Sequence, residues 1–175
     1  MSQFTLSKIR AQHTLAYAAL AASTVCTPIT ARAASATANS SVTILAPVTI
    51  TKTADLVFGT VSAGTTAGTV VMSTAGARSV TGGAVLSSTA TGNAAAFNLT
   101  GNANSTYAIT LPTSTTLAGP GTSMTLNTFT SNPSTTGTFN GSGSATLAVG
   151  GTLAIGANQT AGSYTGSFSV TVDYN

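Results

Sequence analysis

Hydrophobic and polar residues alternate with a period of two along much of the chain, which is the spacing of side chains on one face of a β-strand. In residues 34–50 the even positions are mostly Ala, Val and Ile, and the odd positions are mostly Ser, Thr and Asn. Residues 164–174 repeat this alternation, with aromatic residues, valines and one glycine at the even positions. Each of these two segments therefore predicts a β-strand with one apolar face.

Shorter runs rich in β-branched or aromatic residues lie between these segments and predict further strands. They cover residues 56–61, 69–72, 95–99, 107–111, 124–129 and 145–149. Gly-Gly pairs at Gly82 and Gly150 separate apolar runs and predict hairpin turns. The dipeptides Asn140-Gly141 and Pro120-Gly121 predict turns as well.

No segment after the N-terminal region shows the 3.6-residue period of an amphipathic helix. Many short strands in a chain of 175 residues indicate an all-β protein with an immunoglobulin-like or pilin-like β-sandwich. No shift in composition divides the sequence, so we predict a single sandwich domain over residues 37–175.

The N-terminal residues 1–36 have the organisation of a signal peptide. Lys8 and Arg10 supply positive charge, and an apolar, Ala-rich run follows at residues 14–25. Small residues at suitable spacing predict cleavage after Ala33 or Ala36. The run is shorter than the roughly 20 apolar residues of a transmembrane helix; the alternative is a buried helix. We predict export, with no membrane span in the mature chain.

The composition changes the functional picture once export is assumed. Cleavage would remove Cys26 and His13, the only Cys and His of the chain, and the sequence contains no Glu. Only 4% of the residues are charged, which argues against the clustered titratable groups of most enzymes and against a basic nucleic-acid surface. We therefore expect no enzymatic activity, no metal, no cofactor and no nucleic-acid partner. The charged residues after residue 33 are Lys52, Asp55, Arg78 and Asp173.

The first alternating segment is too long for one sandwich strand. Seventeen residues span on the order of 55 Å, whereas a typical strand covers about 17–20 Å, and Pro47 is a natural break. Residues 37–46 are thus a candidate extended arm that adds to the sheet of a neighbouring copy, with Ala38, Val42 and Ile44 on its apolar face. The alternative is a disordered stub left by signal cleavage.

Three stretches of the sequence resemble the domain of unknown function 4402 family of exported bacterial proteins. They are PVTITKTADLVFG at residues 47–59, GTVSAGTTAGTVV at residues 59–71 and GSYTGSFSVTVDYN at residues 162–175. The last stretch is also similar to subunits of chaperone–usher pili and to spore-coat-U-like proteins. That resemblance implies that the C-terminal strand pairs with a periplasmic chaperone before an outer-membrane usher assembles the subunits. The implied assembly-strand residues are Tyr164, Phe168, Val170, Val172 and Tyr174.

Together these features predict an exported structural subunit that crosses the periplasm to the cell surface and joins copies of itself by strand addition. The near absence of charge favours this interpretation, because charged side chains normally keep sheet edges apart. The alternative is a monomeric surface or matrix binding module, for example for carbohydrate. The aromatic residues are scattered singly, whereas glycan sites cluster them, which weighs against that alternative.

Overall fold

The structure, a computed structural model, describes residues 32–88 and 90–175. The chain forms two units, Met1–Ser41 and Val42–Asn175. In the first unit, the described residues 32–41 are exposed and have no regular secondary structure. Residues 1–31, which hold most of the predicted signal peptide, lie outside the described residues.

The second unit is built from strands and loops, and none of the residues that the structure describes is helical. The prediction of an all-β chain is therefore confirmed. The strands are β1 (Thr49–Ala54), β2 (Val61–Ser62), β3 (Gly68–Met72), β4 (Arg78–Gly82), β5 (Val85–Leu86), β6 (Ala95–Thr100), β7 (Thr106–Thr110), β8 (Ser114–Leu117), β9 (Met124–Asn132), β10 (Thr136–Thr138), β11 (Ser144–Ile155) and β12 (Thr171–Tyr174).

The strands form three antiparallel sheets. The largest has seven strands in the order β1-β6-β11-β3-β4, with β9 also paired to β11 and β8 paired to β9. The second sheet has the order β10-β7-β12, and the third consists of β2 and β5. The first and last strands of the domain, β1 and β12, thus lie at the edges of two different sheets.

Strand β11 organises the large sheet because it changes partner along its length. Its first half, Ser144–Val149, pairs with β6, and Gly151–Ile155 pairs with β3. Ala148 and Val149 pair with both β6 and β9, so β9 runs along the opposite side of β11. The sheet therefore curls around β11 and faces two separate clusters of buried side chains.

The first core lies between the seven-stranded sheet and the sheet β10-β7-β12, which confirms the predicted β-sandwich. Its buried members are Ala95, Leu99, Tyr107, Ile109, Phe139, Leu147, Val149 and Val172. The second core lies under β3, β9 and the second half of β11. Its buried members are Phe58, Val70, Met72, Ala84, Met124, Leu126, Leu153 and Ile155.

Most predicted strands are present in the structure, but the strand predicted over residues 34–50 is absent up to Val48, the strand predicted over residues 56–61 is not formed, and neither Gly-Gly pair forms a hairpin. Residues 56–61 form only an isolated bridge at Val57 and the start of β2. The residues after Gly82 do turn, with Gly82 at a φ of 64°, but β4 pairs with β3 and β5 pairs with β2. The expected turn at Gly150 lies inside the continuous strand β11.

Gly150 lies within a continuous strand, at a point where the neighbouring backbone approaches β11 closely. A Cβ atom at this position would overlap the carbonyl oxygen of Met72. Glycine is thus required by the contact between β11 and the end of β3. Both predicted turn dipeptides, Asn140-Gly141 and Pro120-Gly121, do lie in the loops between strands.

Candidate functional site

The charged residues of the domain do not form a reactive cluster. Lys52 on β1 and Asp55 make an ion pair of 2.5 Å, with 58% and 71% of their side chains exposed. Within residues 32–88 and 90–175, no group of three or more His, Cys, Asp or Glu residues could hold a metal ion. An exposed pair of this kind contributes little to stability, so Lys52 and Asp55 are ordinary surface groups.

Arg78 differs from the other charged residues because it is half-buried and donates hydrogen bonds to backbone carbonyl groups. Its Nη1 donates to the carbonyl oxygen of Phe58 at 2.8 Å, and its Nη2 donates to that of Ser87 at 3.4 Å. The guanidinium group therefore joins β4 to the two loops that flank β2 and β5. Sequence analysis did not single out this residue, because no pattern marks which backbone carbonyl an arginine will reach.

The predicted donor arm contains the most exposed large apolar side chains of the described chain. Val42 is 84% exposed and Ile44 is 88% exposed, and neither residue belongs to a strand. Leu45 is 43% exposed. In the first unit, Ala38 is exposed as well. Regular pairing begins at Thr49, two residues after Pro47.

The predicted C-terminal assembly strand has the alternation that its sequence indicates. Val172 is buried in the first core, whereas Tyr164, Phe168, Val170 and Tyr174 are half-buried and pack against the cores. The odd positions between them are exposed. Only Thr171–Tyr174 forms a ladder, with β7, so β12 leaves its other side without a strand partner among the described residues.

Aromatic contacts fix the inward face of this segment. The rings of Phe168 and Phe129 lie 4.9 Å apart, and those of Tyr174 and Phe139 lie 6.1 Å apart in an edge-on arrangement. Tilted and edge-on pairs are the favourable arrangements of aromatic rings. The hydroxyl group of Tyr164 donates to the carbonyl oxygen of Thr160 at 2.9 Å.

The base of the arm and the C-terminal strand are joined by one side chain. The hydroxyl oxygen of Tyr174 accepts a hydrogen bond from the backbone N–H of Asn102 at 2.6 Å. The same hydroxyl donates to the carbonyl oxygen of Ala46 at 2.6 Å. The two segments that sequence analysis selected independently therefore meet at this hydroxyl group.

A groove of about 490 Å³ opens at the other end of the sheet β10-β7-β12. Its apolar floor consists of Ile109, Leu111 and Phe129. Hydroxyl-bearing residues form its rim: Thr130, Ser131, Ser134 and Thr135. Sequence analysis did not find this groove, because residues 109–111 and 129–135 become neighbours only through the pairing of two sheets.

Comparison with known proteins identifies the family of the chain but no individual relative. The family model described as "Domain of unknown function (DUF4402)" matches residues 48–174. No curated protein and no solved structure matches the chain. The part of the chain that the structure describes contains no helix that is long and apolar enough to cross a membrane.

Proposed function

The chain belongs to the DUF4402 family, and on that premise we propose that it is an exported structural subunit of a cell-surface or pilus-like assembly. Copies are joined by β-strand addition: the arm of one subunit pairs with the sheet of the next. The single observation that carries this proposal is the exposure of Val42 and Ile44 immediately before the first paired strand.

Exposing the apolar side chains of the arm to water costs free energy unless a partner buries them. Burying a valine or isoleucine side chain contributes roughly 1.5–3 kcal/mol, whereas association costs about 4–15 kcal/mol in lost translational and rotational freedom. Two side chains therefore hold subunits together only if other interactions add to them. An added strand supplies these interactions as a ladder of main-chain hydrogen bonds.

The C-terminal strand supports a second step of the proposed route. Its edge at Thr171–Tyr174, which has no second strand partner within residues 32–88 and 90–175, suits transient pairing with a periplasmic chaperone. An outer-membrane usher would then assemble the subunits at the cell surface. Phe168, Val170 and Val172 already pack inward, so the chaperone would use mainly the main chain. In this proposal the protein catalyses no reaction.

The low charge of the domain is compatible with close packing of copies. Lys52, Asp55, Arg78 and Asp173 are its charged side chains, and Lys52 and Asp55 neutralise each other. Net charge and charged edge residues are the usual barriers to edge-to-edge association of sheets. These two cations and two anions give the domain a net charge of zero, although Lys52, Arg78 and Asp173 lie on the edge strands β1, β4 and β12.

The deciding experiment replaces both exposed apolar residues of the arm, Val42→Asp with Ile44→Asp, in the secreted protein. We expect polymers to disappear in sedimentation while the β-signal in circular dichroism stays unchanged, because both side chains are already in solvent. Val85→Asp is the matched control, since Val85 is 62% exposed on β5, outside the arm. Polymers that survive the double replacement, or wild type that stays monomeric with its chaperone present, would refute the proposal.

Export has its own test. Cleavage after Ala33 or Ala36 gives a mature chain that starts at Ala34 or Thr37 and lacks Cys26. The intact mass of the secreted protein distinguishes the two sites. A secreted form that retains residues 1–30 would contradict export by a cleaved signal peptide.

The groove supports a second candidate function, a monomeric surface or matrix binding module. Its volume of about 490 Å³ lies within the range of small-molecule sites, roughly 300–1,000 Å³. The seven residues that line it include no acid and no amide side chain, the groups that commonly hold sugar hydroxyls. Saturable glycan binding by a monomer, lost on Leu111→Asp, would favour this candidate.

A further inference from the structure

We propose that the groove over Ile109, Leu111 and Phe129 is the acceptor for the arm residues Val42–Leu45 of a second copy of this chain. This inference rests on the proposed function, because it names the surface that receives the donated strand. Four features of the groove and the arm carry it: open main chain, an apolar floor, the absence of charge and the departure point of the arm.

Strand β9 offers open main chain beside the groove. On one side β9 pairs with β11, and on the other side β8 pairs only with residues up to Asn127. Among the described residues, no strand pairs with that second side of β9 beyond Asn127. Residues 129–131 of this unpaired half line the groove. An added strand would find hydrogen-bonding groups there that now lack a ladder.

The opposite wall of the groove lies where the pairing of β10 with β7 ends. Strand β10 pairs with β7 only as far as Ala108, and beyond it the N–H of Ile109 donates to the carbonyl oxygen of Thr135. Leu111 lies past the end of this pairing. The groove thus lies between the end of the β10–β7 pairing and the second half of β9, and the unpaired strand side in it belongs to β9.

The arm and the groove match in chemistry. Val42 and Ile44 are two residues apart, so in an extended strand they point to the same face, and the floor of the groove offers three apolar side chains. Neither the lining of the groove nor residues 42–45 carry a charge. Docking would therefore bury apolar area without desolvating a charged group.

The occupant is assigned to a second copy because the arm does not fill the groove of its own chain. Tyr174 holds the carbonyl group of Ala46 on the β12 side of β7, whereas the groove opens on the β10 side. In the monomer Val42 and Ile44 remain in solvent. Because no residue of the arm lines this groove, we assign its occupant to a second copy.

Disulfide trapping tests the assignment in a C26S background, where the introduced thiols are the only ones. One protein carries Ile44→Cys, and a second carries Ser131→Cys in the groove; the two are mixed under mild oxidation. Two matched controls replace the second protein: Thr125→Cys, exposed at the fully paired end of β9, and Thr171→Cys on β12. We expect covalent heterodimers with Ser131→Cys and none with either control.

The other outcomes separate this inference from the function on which it rests. Heterodimers with Thr171→Cys alone would place the acceptor at β12 and overturn the groove assignment while leaving strand addition intact. The groove assignment would also be overturned if wild type forms polymers but no heterodimer forms with Ser131→Cys. A chain that carries both Ile44→Cys and Ser131→Cys and closes only on itself would show a self-filled groove and overturn the second-copy assignment. Absence of polymers and of all heterodimers would refute the proposed function itself.

Discussion

The hydroxyl group of Tyr174 donates a hydrogen bond of 2.6 Å to the carbonyl oxygen of Ala46, 128 positions earlier in the chain. The last residue of β12 thereby fixes the residue at which the exposed arm leaves the domain. A second bond, from the N–H of Asn102, holds the hydroxyl in place. This arrangement gives a polar function to an aromatic residue whose ring already packs near Phe139.

Replacing Tyr174 by Phe is expected to lower the free energy of unfolding by about 1–3 kcal/mol. The ring keeps its packing, but the N–H of Asn102 and the carbonyl oxygen of Ala46 lose their shared partner. Chemical denaturation measures the change. A loss below about 0.5 kcal/mol, the usual range of neutral surface changes, would show that solvent replaces both bonds.

Arg78→Met should lower the free energy of unfolding by about 1.5–3 kcal/mol, the usual contribution of hydrogen bonds to charged groups. The replacement has a similar apolar stem but removes the donors to the carbonyl oxygens of Phe58 and Ser87. The comparison variant is Lys52→Gln, which removes an exposed ion pair and should change stability by less than about 1 kcal/mol. Equal effects in urea denaturation would contradict the structural task assigned to Arg78.

The two central glycines of β11 should respond differently to alanine. Gly150→Ala places a Cβ against the backbone carbonyl of Met72, which cannot yield without moving β3, and overpacking of this kind costs about 1–3 kcal/mol. Gly151→Ala meets the side chain of Leu126 at 3.1 Å, and that side chain can adjust. Thermal unfolding of both variants is the measurement, and a larger loss for Gly151→Ala would contradict the predicted order.

The pH dependence of stability should reflect Tyr107, which is buried in the first core. Burial raises the pKa of the Tyr107 hydroxyl above its usual value because it disfavours the phenolate. Above about pH 10 an unfolded tyrosine loses its proton while the folded one keeps it, so the unfolded state binds fewer protons and stability falls as the pH rises. Below that pH this contribution is fully present.

Alkaline denaturation of wild type and Tyr107→Phe measures this effect. The variant keeps the ring and has no proton to lose, so its stability should decline less between neutral pH and pH values above the pKa of unfolded tyrosine, about 10. Parallel declines in the two proteins would show that other groups control alkaline unfolding.

The alternation of side chains was sufficient to predict the β-sandwich and the inward face of residues 164–174. Phe168 and Val172 face a core as the alternation predicts, whereas Val42 and Ile44, which alternate in the same way, are exposed. Alternation does not report which strands pair. Only Thr171–Tyr174 of that segment forms a ladder, because pairing depends on where distant strands end.

Glycine positions were the main source of error in the sequence analysis. A Gly-Gly pair between apolar runs can mark a tight hairpin turn, which needs glycine. Glycine is also needed where two backbones approach each other closely. Gly150 is needed for a close approach of two backbones, and the residue that it approaches, Met72, is 78 positions away in the sequence. The groove and the contacts of Arg78 could not be predicted from the sequence for the same reason, since they arise between segments that are remote in sequence.

Strand β11 passes through both cores: Leu147 and Val149 belong to the first, and Leu153 and Ile155 to the second. Opening either core requires this strand to leave its ladder, which removes side chains from the other core at the same time. We therefore expect the two clusters to act as one cooperative unit, although they lie under different parts of the seven-stranded sheet. From this shared strand we expect that neither core opens while the other stays closed, so that partial unfolding exposes no new strand edges.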